Sequence, residues 1–307
     1  MRIAVIGTGG IGGPYGAALT KAGADVTFVA RGTHLAAMRE NGLRVEGDRG
    51  ETHIRPAQAT DDIASIGTVD FVLSCVKLWD VEEGAEQIRP IVGPHTAVIP
   101  LQNGIDAAER MIRILGDKPV MGGMAFVTGT IVAPGVVRQT GTYQQMTFGE
   151  LDGRVSERAE RLRDAFAHAE IPVELSKTIR RALWEKYLLI CAVGGTTAVT
   201  RETIGVVRDT PATWRLFRTI VEEVTALARA SGVDLANDAV EQIVKFAETI
   251  PPGNRASLAQ DVLQGRRLEL EALHGHAARL GERLGVPTPA IFAVYAALAP
   301  HAAGRRG

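Results

Sequence analysis

The residues best able to do chemistry are spread over both halves of the chain. At the start, Gly7, Gly9 and Gly12 in the run Gly7-Thr8-Gly9-Gly10-Ile11-Gly12 follow directly on the apolar stretch Ile3–Ile6. This is the spacing G-x-G-x-x-G where a first strand hands over to a helix. Gly7 permits the tight turn, Gly9 lets a pyrophosphate approach the backbone, and Gly12 lets the helix lie close to the sheet. The free N–H groups and positive end of the following helix then suit a phosphate. With a helix Pro14–Ala22 and a second strand Asp25–Ala30 behind it, the loop reads as a dinucleotide site formed by residues 7–12. Ala30 and Arg31 follow that second strand, where an NAD site usually carries Asp or Glu. A carboxylate would repel a 2′-phosphate, whereas a guanidinium binds one through two parallel charge-assisted hydrogen bonds. Arg31 therefore points to NADP(H), against the plainer reading of a solvated loop residue.

Lys77 and Asn103 each follow an apolar, strand-like run. Ligands bind at the carboxyl ends of parallel strands, so both are cofactor-side candidates, although Asn103-Gly104 also suits a turn and Lys77 a surface charge. In the second half, Lys186 precedes the apolar stretch Leu188–Val193. Such a lysine either snorkels or is partly desolvated, which lowers its pKa toward general-acid use. Glu269 and Glu271 sit on a helix that Ser257 opens, with Ser257-Leu258-Ala259-Gln260 in the form of a capping box. Ser257 then reads first as an N-cap.

The elements that must position these groups fall into two sets. The first half alternates: helix His34–Asn41, extended pieces Leu43–Glu46 and Thr52–Pro56, strand Val69–Val76, helix Val81–Ile91, strand Ala97–Leu101, helix Asp106–Leu115 and strand Val120–Val127. That alternation predicts a parallel sheet with helices on both faces. Pro134-Gly135 divides two extended segments, and Val136–Gln139 with Gln145–Phe148 suit an antiparallel addition. A helix from Ser156 to about Ala169 and a strand Val173–Leu175 follow. After Lys177 nothing has strand periodicity. Thr210-Pro211 starts a helix with a capping side chain, Gly232 ends it, Asn237 opens another that Ile250-Pro251 closes, and Ser257 begins a long helix reaching about Gly275. Further helices run to Gly285 and over Pro287–Leu298, and Ala302–Gly307 reads as a disordered tail. The fold class is thus an α/β Rossmann-type dinucleotide-binding domain, residues 1–177, followed by an all-α helical domain, residues 178–307. The cleft between two such domains is the default place for an active site.

Composition is that of an ordinary soluble globular protein. The 307 residues carry 46% apolar and 22% charged side chains with a formal net charge of −1, so neither nucleic acid nor a membrane surface is implied. No apolar run approaches the ~20 residues that span a bilayer. Strand one begins at the N-terminus, leaving no room for a signal peptide. Cys75 and Cys191 lack metal-like spacing and read as reduced core thiols, which implies a cytoplasmic protein without a metal site.

Taken together, these residues resemble the ketopantoate reductase family, NADPH-dependent enzymes that reduce a 2-oxo acid to a 2-hydroxy acid. The resemblance covers nearly the whole chain: the glycine turn, Arg31, Val76-Lys77-Leu78-Trp79, Leu101-Gln102-Asn103-Gly104, Pro134-Gly135 with Gly149-Glu150, Leu183-Trp184-Glu185-Lys186, and Ser257-Leu258-Ala259-Gln260-Asp261 followed by Glu269. It implies that Arg31 holds the 2′-phosphate, that Lys77 lies on the cofactor side, and that Asn103 binds the nicotinamide ribose and shapes the substrate pocket. Lys186 would be the general acid, Ser257 would contact the substrate carboxylate, and Glu269 would bind substrate and hold Lys186. The chain departs from the family where asparagines usually stand four and eight residues after the lysine. Ile190 and Gly194 occupy those positions, and His274 stands where an asparagine commonly precedes Gly275. An i, i+4, i+8 series shares one helix face, so the substrate side reads as apolar and more open. The implied reaction is reduction of ketopantoate in pantothenate biosynthesis. Alternatives are a relative acting on a less polar 2-oxo acid or ketone, and a non-catalytic NADP(H)-binding sensor. A small-molecule 2-oxo acid is the expected partner, together with a homodimer formed through the helical domain.

Overall fold

A computed structural model describes residues Met1–Gly304, apart from the side chains of Thr142 and Tyr143. The chain divides into two compact units, the first Met1–Gln102 with Asp106–Ile179, the second Asn103–Ile105 with Arg180–Gly307.

In the first unit, β1 (Arg2–Ile6), β2 (Asp25–Val29), a short β5 (Ala59–Thr60), β6 (Val69–Ser74) and β7 (Val92–Pro100) make a parallel sheet in the order β5-β2-β1-β6-β7. β1 is central, with Ile3 paired to both Val26 and Phe71. Its Ile3, Ala4, Val5 and Ile6 are buried. Each large apolar side chain hidden in this way is worth roughly 1.5–3 kcal/mol. The helices α1 (Gly12–Lys21), α2 (Gly32–Asn41), α3 (Val81–Ile88) and α4 (Ala107–Leu115) connect or flank these strands.

A second sheet holds β10 (Val173–Leu175), β9 (Val136–Gly149), β3 (Leu43–Gly47) and β4 (Gly50–Ile54) in that order, with β8 (Gly122–Ala133) paired to β9. Here the structure corrects the expected alternation. The strand expected at Val120–Val127 to extend the parallel sheet runs from Gly122 to Ala133 and pairs antiparallel with β9, while Val120 just before it bridges to Val98 of the parallel sheet. Val136–Gln139 and Gln145–Phe148 are one strand rather than two. The Pro134-Gly135 turn, with Gly135 at φ 75°, folds β8 back on β9, and that local pairing wins over a long crossover. α1 lies between the sheets on a thin, glycine-lined surface: a Cβ on Gly16 would sit 2.4 Å from Phe28 of β2, and one on Gly13 3.0 Å from Val137 of β9. α5 (Glu157–His168) closes the unit, its first turn capped by Ser156, whose Oγ accepts from the Ala159 N–H.

The second unit is helical: α6 (Ile179–Thr200), α7 (Ile204–Asp209), α8 (Pro211–Ala230), α9 (Ala239–Thr249), α10 (Ser257–Gln264), α11 (His276–Leu284) and α12 (Pro289–Leu298). The Thr210 hydroxyl does not cap α8; it donates back to the Val206 carbonyl, ending α7. α12 is capped from a distance by Glu223, which accepts from Ala290 and Ile291 N–H at 2.8 and 2.9 Å. The long helix expected from Ser257 to Gly275 is broken. α10 stops at Gln264 because Gly265 adopts a left-handed conformation, and the chain re-enters helix through a π-helical turn, Glu271–Gly275. Ser257 is the first helical residue, with Ala256 at the N-cap and no side-chain cap, so its expected capping role is also corrected. Ala302–Gly304 are tied in, with the Leu268 N–H donating to Ala302 O and the Gly304 N–H to His301 O, rather than forming the start of a loose tail. Residues 305–307 of that expected tail lie outside the described residues.

Candidate active site

The glycine loop leaves β1 and crosses the carboxyl end of β6. A Cβ on Gly7, at φ 94°, would sit 3.1 Å from the Cys75 and Val76 backbone, and one on Gly12 would sit 2.3 Å from the Gly7 carbonyl. Gly9 faces open space. The first turn of α1 carries no side-chain cap and no acidic residue. An open glycine beside uncapped helix N–H groups is what a pyrophosphate requires, so the residues present fit a dinucleotide. Gly10 has a different reason for lacking a side chain: its Cβ would fall 1.9 Å from the Gly129 carbonyl, where β8 packs on the loop. Thr8 is buried and its hydroxyl donates to Val29 O, locking the loop to the end of β2. Ile11 is the N-cap residue of α1.

His34 supports this loop in a way the sequence did not reveal. Its Nε2 lies 2.9 Å from the Thr8 carbonyl, which can only accept, so Nε2 carries the proton. Its Nδ1 then accepts the Gly135 N–H at 3.0 Å. The imidazole is a neutral tie between the glycine loop and the β8–β9 turn. Burial lowers its pKa, against the opposing pull of the Thr8 carbonyl. It is not a cation available to a phosphate. Arg31 stands exposed after β2, its Nη2 donating to Glu83 Oε1 at 3.3 Å and Gln87 Oε1 at 3.0 Å of α3. An exposed ion pair of this kind is worth only ~0.2–1 kcal/mol, so the guanidinium can re-pair with a doubly charged phosphate. Lys77 is exposed after β6, with its Nζ 5.8 Å from the Trp79 ring centroid. Gln102 joins the ends of β6 and β7: its amide donates to Ser74 O at 3.0 Å and Val76 O at 3.1 Å. Asn103 next to it is partly buried and is grouped with the helical residues.

In the helical unit, α6 carries Lys186, Ile190 and Gly194 along one face. Lys186 is partly buried. Burial pulls its pKa from 10.5 down to about 8, while the charge of Glu269 works in the opposite direction. Lys186 and Glu269 are thus brought together. Glu269, 9% exposed, lies in the turn just before the π-helical segment and not on a long helix. Glu271, two residues on, is engaged elsewhere, accepting from Tyr295 Oη at 2.6 Å and Arg279 Nη1 at 2.9 Å. Ser257 is exposed at the start of α10. Gly194 is buried, yet its position still has room for a side-chain carbon at ordinary contact distance. A Cβ there would meet Leu258 at 3.8 Å and His274 Cε1 at 4.0 Å, because α10 and the π-helical turn both pack on this part of α6. Among the described residues, no group of three or more His, Cys, Asp or Glu could hold a metal ion.

Residues 3–153 match the family model described as ketopantoate reductase PanE/ApbA, and residues 178–302 match the model of its C-terminal part. The 2-dehydropantoate 2-reductase of Archaeoglobus fulgidus is 30% identical over 93% of this chain and 92% of its own. The chain belongs to the ketopantoate reductase family. Among solved structures of that family, the PanE/ApbA family ketopantoate reductase of Ralstonia eutropha superposes with a TM-score of 0.89 at 32% identity, covering 98% of both chains. The 2-dehydropantoate 2-reductase of Geobacter metallireducens gives 0.90 at 28% identity, covering 98% of this chain and 99% of its own. As a ketopantoate reductase family member the protein is an NADP(H)-dependent oxidoreductase acting on a CH–OH group and its oxo counterpart. No helix of the described residues is long and apolar enough to cross a membrane.

Proposed function

We propose that this protein reduces a 2-oxo acid to the 2-hydroxy acid with NADPH, ketopantoate to pantoate in pantothenate biosynthesis being the reaction of first choice. The observation that carries the reading is the pairing of Lys186, its pKa drawn down to about 8, with the buried carboxyl of Glu269. An amine titrating there is charged at neutral pH and gives up its proton readily, which suits a general acid. When bound, NADPH supplies the hydride. Lys186 donates its proton to the carbonyl oxygen as the carbonyl carbon is reduced, and the neutral amine left behind recovers a proton from solvent. Glu269 keeps the lysine charged and oriented between turnovers and hydrogen-bonds the substrate. Residues 7–12 receive the pyrophosphate, Arg31 takes the 2′-phosphate, Lys77 serves the cofactor, and Asn103 meets the nicotinamide ribose and the substrate. Ser257, exposed at the first turn of α10, takes the substrate carboxylate.

A second reading, a less polar 2-oxo acid as substrate, is favoured by one observation: Ile190 and Gly194 offer no polar side chain on the face of α6 that carries Lys186. NADPH oxidation with ketopantoate, its hydroxyl-free analogue and larger branched 2-oxo acids tests both. Preference for ketopantoate supports the first reading, preference for the hydroxyl-free acids the second, and turnover of none of them overturns both. Two free thiols, both held protonated by burial, support a reducing, cytoplasmic setting. The exposed aromatic rings of Phe246 on α9 and Phe292 on α12 support self-association through the helical unit, which light scattering of the purified protein would test.

A further inference from the structure

Two side chains fasten the π-helical turn Glu271–Gly275 onto α6. The Tyr187 hydroxyl, one residue after Lys186, donates to the Leu273 carbonyl at 2.7 Å. The His274 Nε2 lies 2.9 Å from the Cys191 carbonyl, so it must be the protonated nitrogen. The turn is fastened to the Glu269 segment in its own backbone as well, the Leu273 N–H donating to Glu269 O at 3.1 Å and the Gly275 N–H to Leu270 O at 2.9 Å. His274 has no solvent exposure, and its Nδ1 is buried without a hydrogen-bond partner among the described residues. A buried polar group left unsatisfied is costly, so packing alone is a poor reason for an imidazole at this position. α6 makes room for the ring with a second glycine: a Cβ on Gly195 would sit 2.7 Å from His274 Nε2. Isolated π-turns within α-helical structure commonly mark functional positions.

We infer that His274, together with Tyr187, is a positioning residue that sets the register of the Glu269 segment on α6 and so holds the Glu269 carboxylate against Lys186. The inference rests on the reading of Lys186 as proton donor, and it concerns the register of two segments rather than any contact with substrate. The charge acting on Lys186 from a packed segment is that of Glu269. On α6 itself, Glu185 is taken up by Arg181 at 2.8 Å. Slippage of the turn would move the Glu269 charge away and leave burial to act on the lysine alone.

The test is the pH dependence of Lys186 acetylation by limiting acetic anhydride, read by peptide mass spectrometry, in wild type, His274→Ala, His274→Gln and Tyr187→Phe. It needs no substrate. His274→Ala should lower the pKa of Lys186 by about one unit, the size of effect that a nearby opposite charge exerts, with NADPH affinity within about twofold of wild type. His274→Gln, whose amide can still reach the Cys191 carbonyl, should recover at least half of that shift. Tyr187→Phe loses a clamp without losing volume and should shift in the same direction. Gly195→Ala should act like His274→Ala by displacing the ring, although alanine is the better helix former. An unmoved Lys186 titration in folded His274→Ala, or in Tyr187→Phe should the alanine variant not fold, overturns the inference, as does a glutamine variant no better than alanine. A protein that reduces no 2-oxo acid would sink the proton-donor reading while leaving this titration to be scored by itself.

Discussion

Glu269 opposes the desolvation of Lys186: burial draws the amine down to about 8, and the glutamate's charge keeps it from falling further. The two residues are 83 positions apart in sequence and lie within the same helical unit. Lys186 rides on a continuous helix, whereas Glu269 is delivered by the short stretch between the left-handed Gly265 and the π-helical turn.

Replacing Lys186 with alanine should lower kcat by ~10²–10⁴-fold, the usual worth of a positioned proton donor. NADPH affinity should stay close to wild type. A variant that keeps most of its kcat would assign the lysine to packing.

The acid must be protonated to work, so kcat for 2-oxo acid reduction should fall as pH rises through about 8. Glu269→Gln removes the influence that raises the lysine's pKa. The alkaline limb of the pH–rate profile should then move to lower pH. A limb that stays in place, or moves up, would break the link between the two residues.

Arg31→Ala should weaken NADPH binding about ten- to a hundredfold, since hydrogen bonds to charged groups are worth roughly 1.5–3 kcal/mol. NADH binding should barely change. Titrating both cofactors by fluorescence decides the matter, and equal losses would remove Arg31 from the 2′-phosphate site.

Ile190→Asn should shift kcat/KM toward ketopantoate relative to its hydroxyl-free analogue, because an unpaired buried hydroxyl costs roughly 1–3 kcal/mol. Gly194→Asn, whose Cβ would meet Leu258 and His274 at ordinary contact distances of 3.8 and 4.0 Å, should shift the ratio the same way. A wild type that prefers ketopantoate by several orders of magnitude would mean that other residues read the hydroxyl.

A structural prediction concerns Glu150, which accepts from Arg158 Nε and Nη2, each at 2.7 Å, and from Ser156 Oγ. Burial pushes its carboxyl up, but the Arg158 and Ser156 hydrogen bonds more than reverse this, and its pKa ends lowered. The sign follows: its contribution to stability is present above the ordinary carboxylate pKa and is lost as pH falls through the depressed one. Glu150→Ala strands a largely buried guanidinium and should cost ~3–5 kcal/mol at neutral pH. Urea unfolding at neutral and acid pH checks both magnitude and direction, and an equal cost at both would contradict the pairing.

Local pattern alone determined the glycine turn after β1, the parallel β1–β2 pair with Arg31 at its end, the Ser156-capped helix, and the absence of strands beyond Lys177 among the described residues. These rest on local signals, a turn that only glycine tolerates, a cap and an apolar period, with the β1–β2 pairing following from the short crossover between them. Gly149-Glu150 was visible as a motif, but its job, anchoring Arg158, was not. Tertiary structure decided the rest. Gly10 and Gly129 meet backbone to backbone because β8 leaves the parallel sheet to pair with β9, a choice between two long-range partners that periodicity does not distinguish. His34 became a neutral tie only once Gly135 lay opposite it. The helix expected to run from Ser257 to Gly275 is broken because Gly265 turns left-handed and the following turn docks on α6 through Tyr187 and His274. Gly265 is a stop signal that local propensity can read, but the docking of the following turn on α6 is not. It is packing on α6 that brings Glu269 to Lys186, and such contacts between distant segments leave no periodic mark in a single sequence.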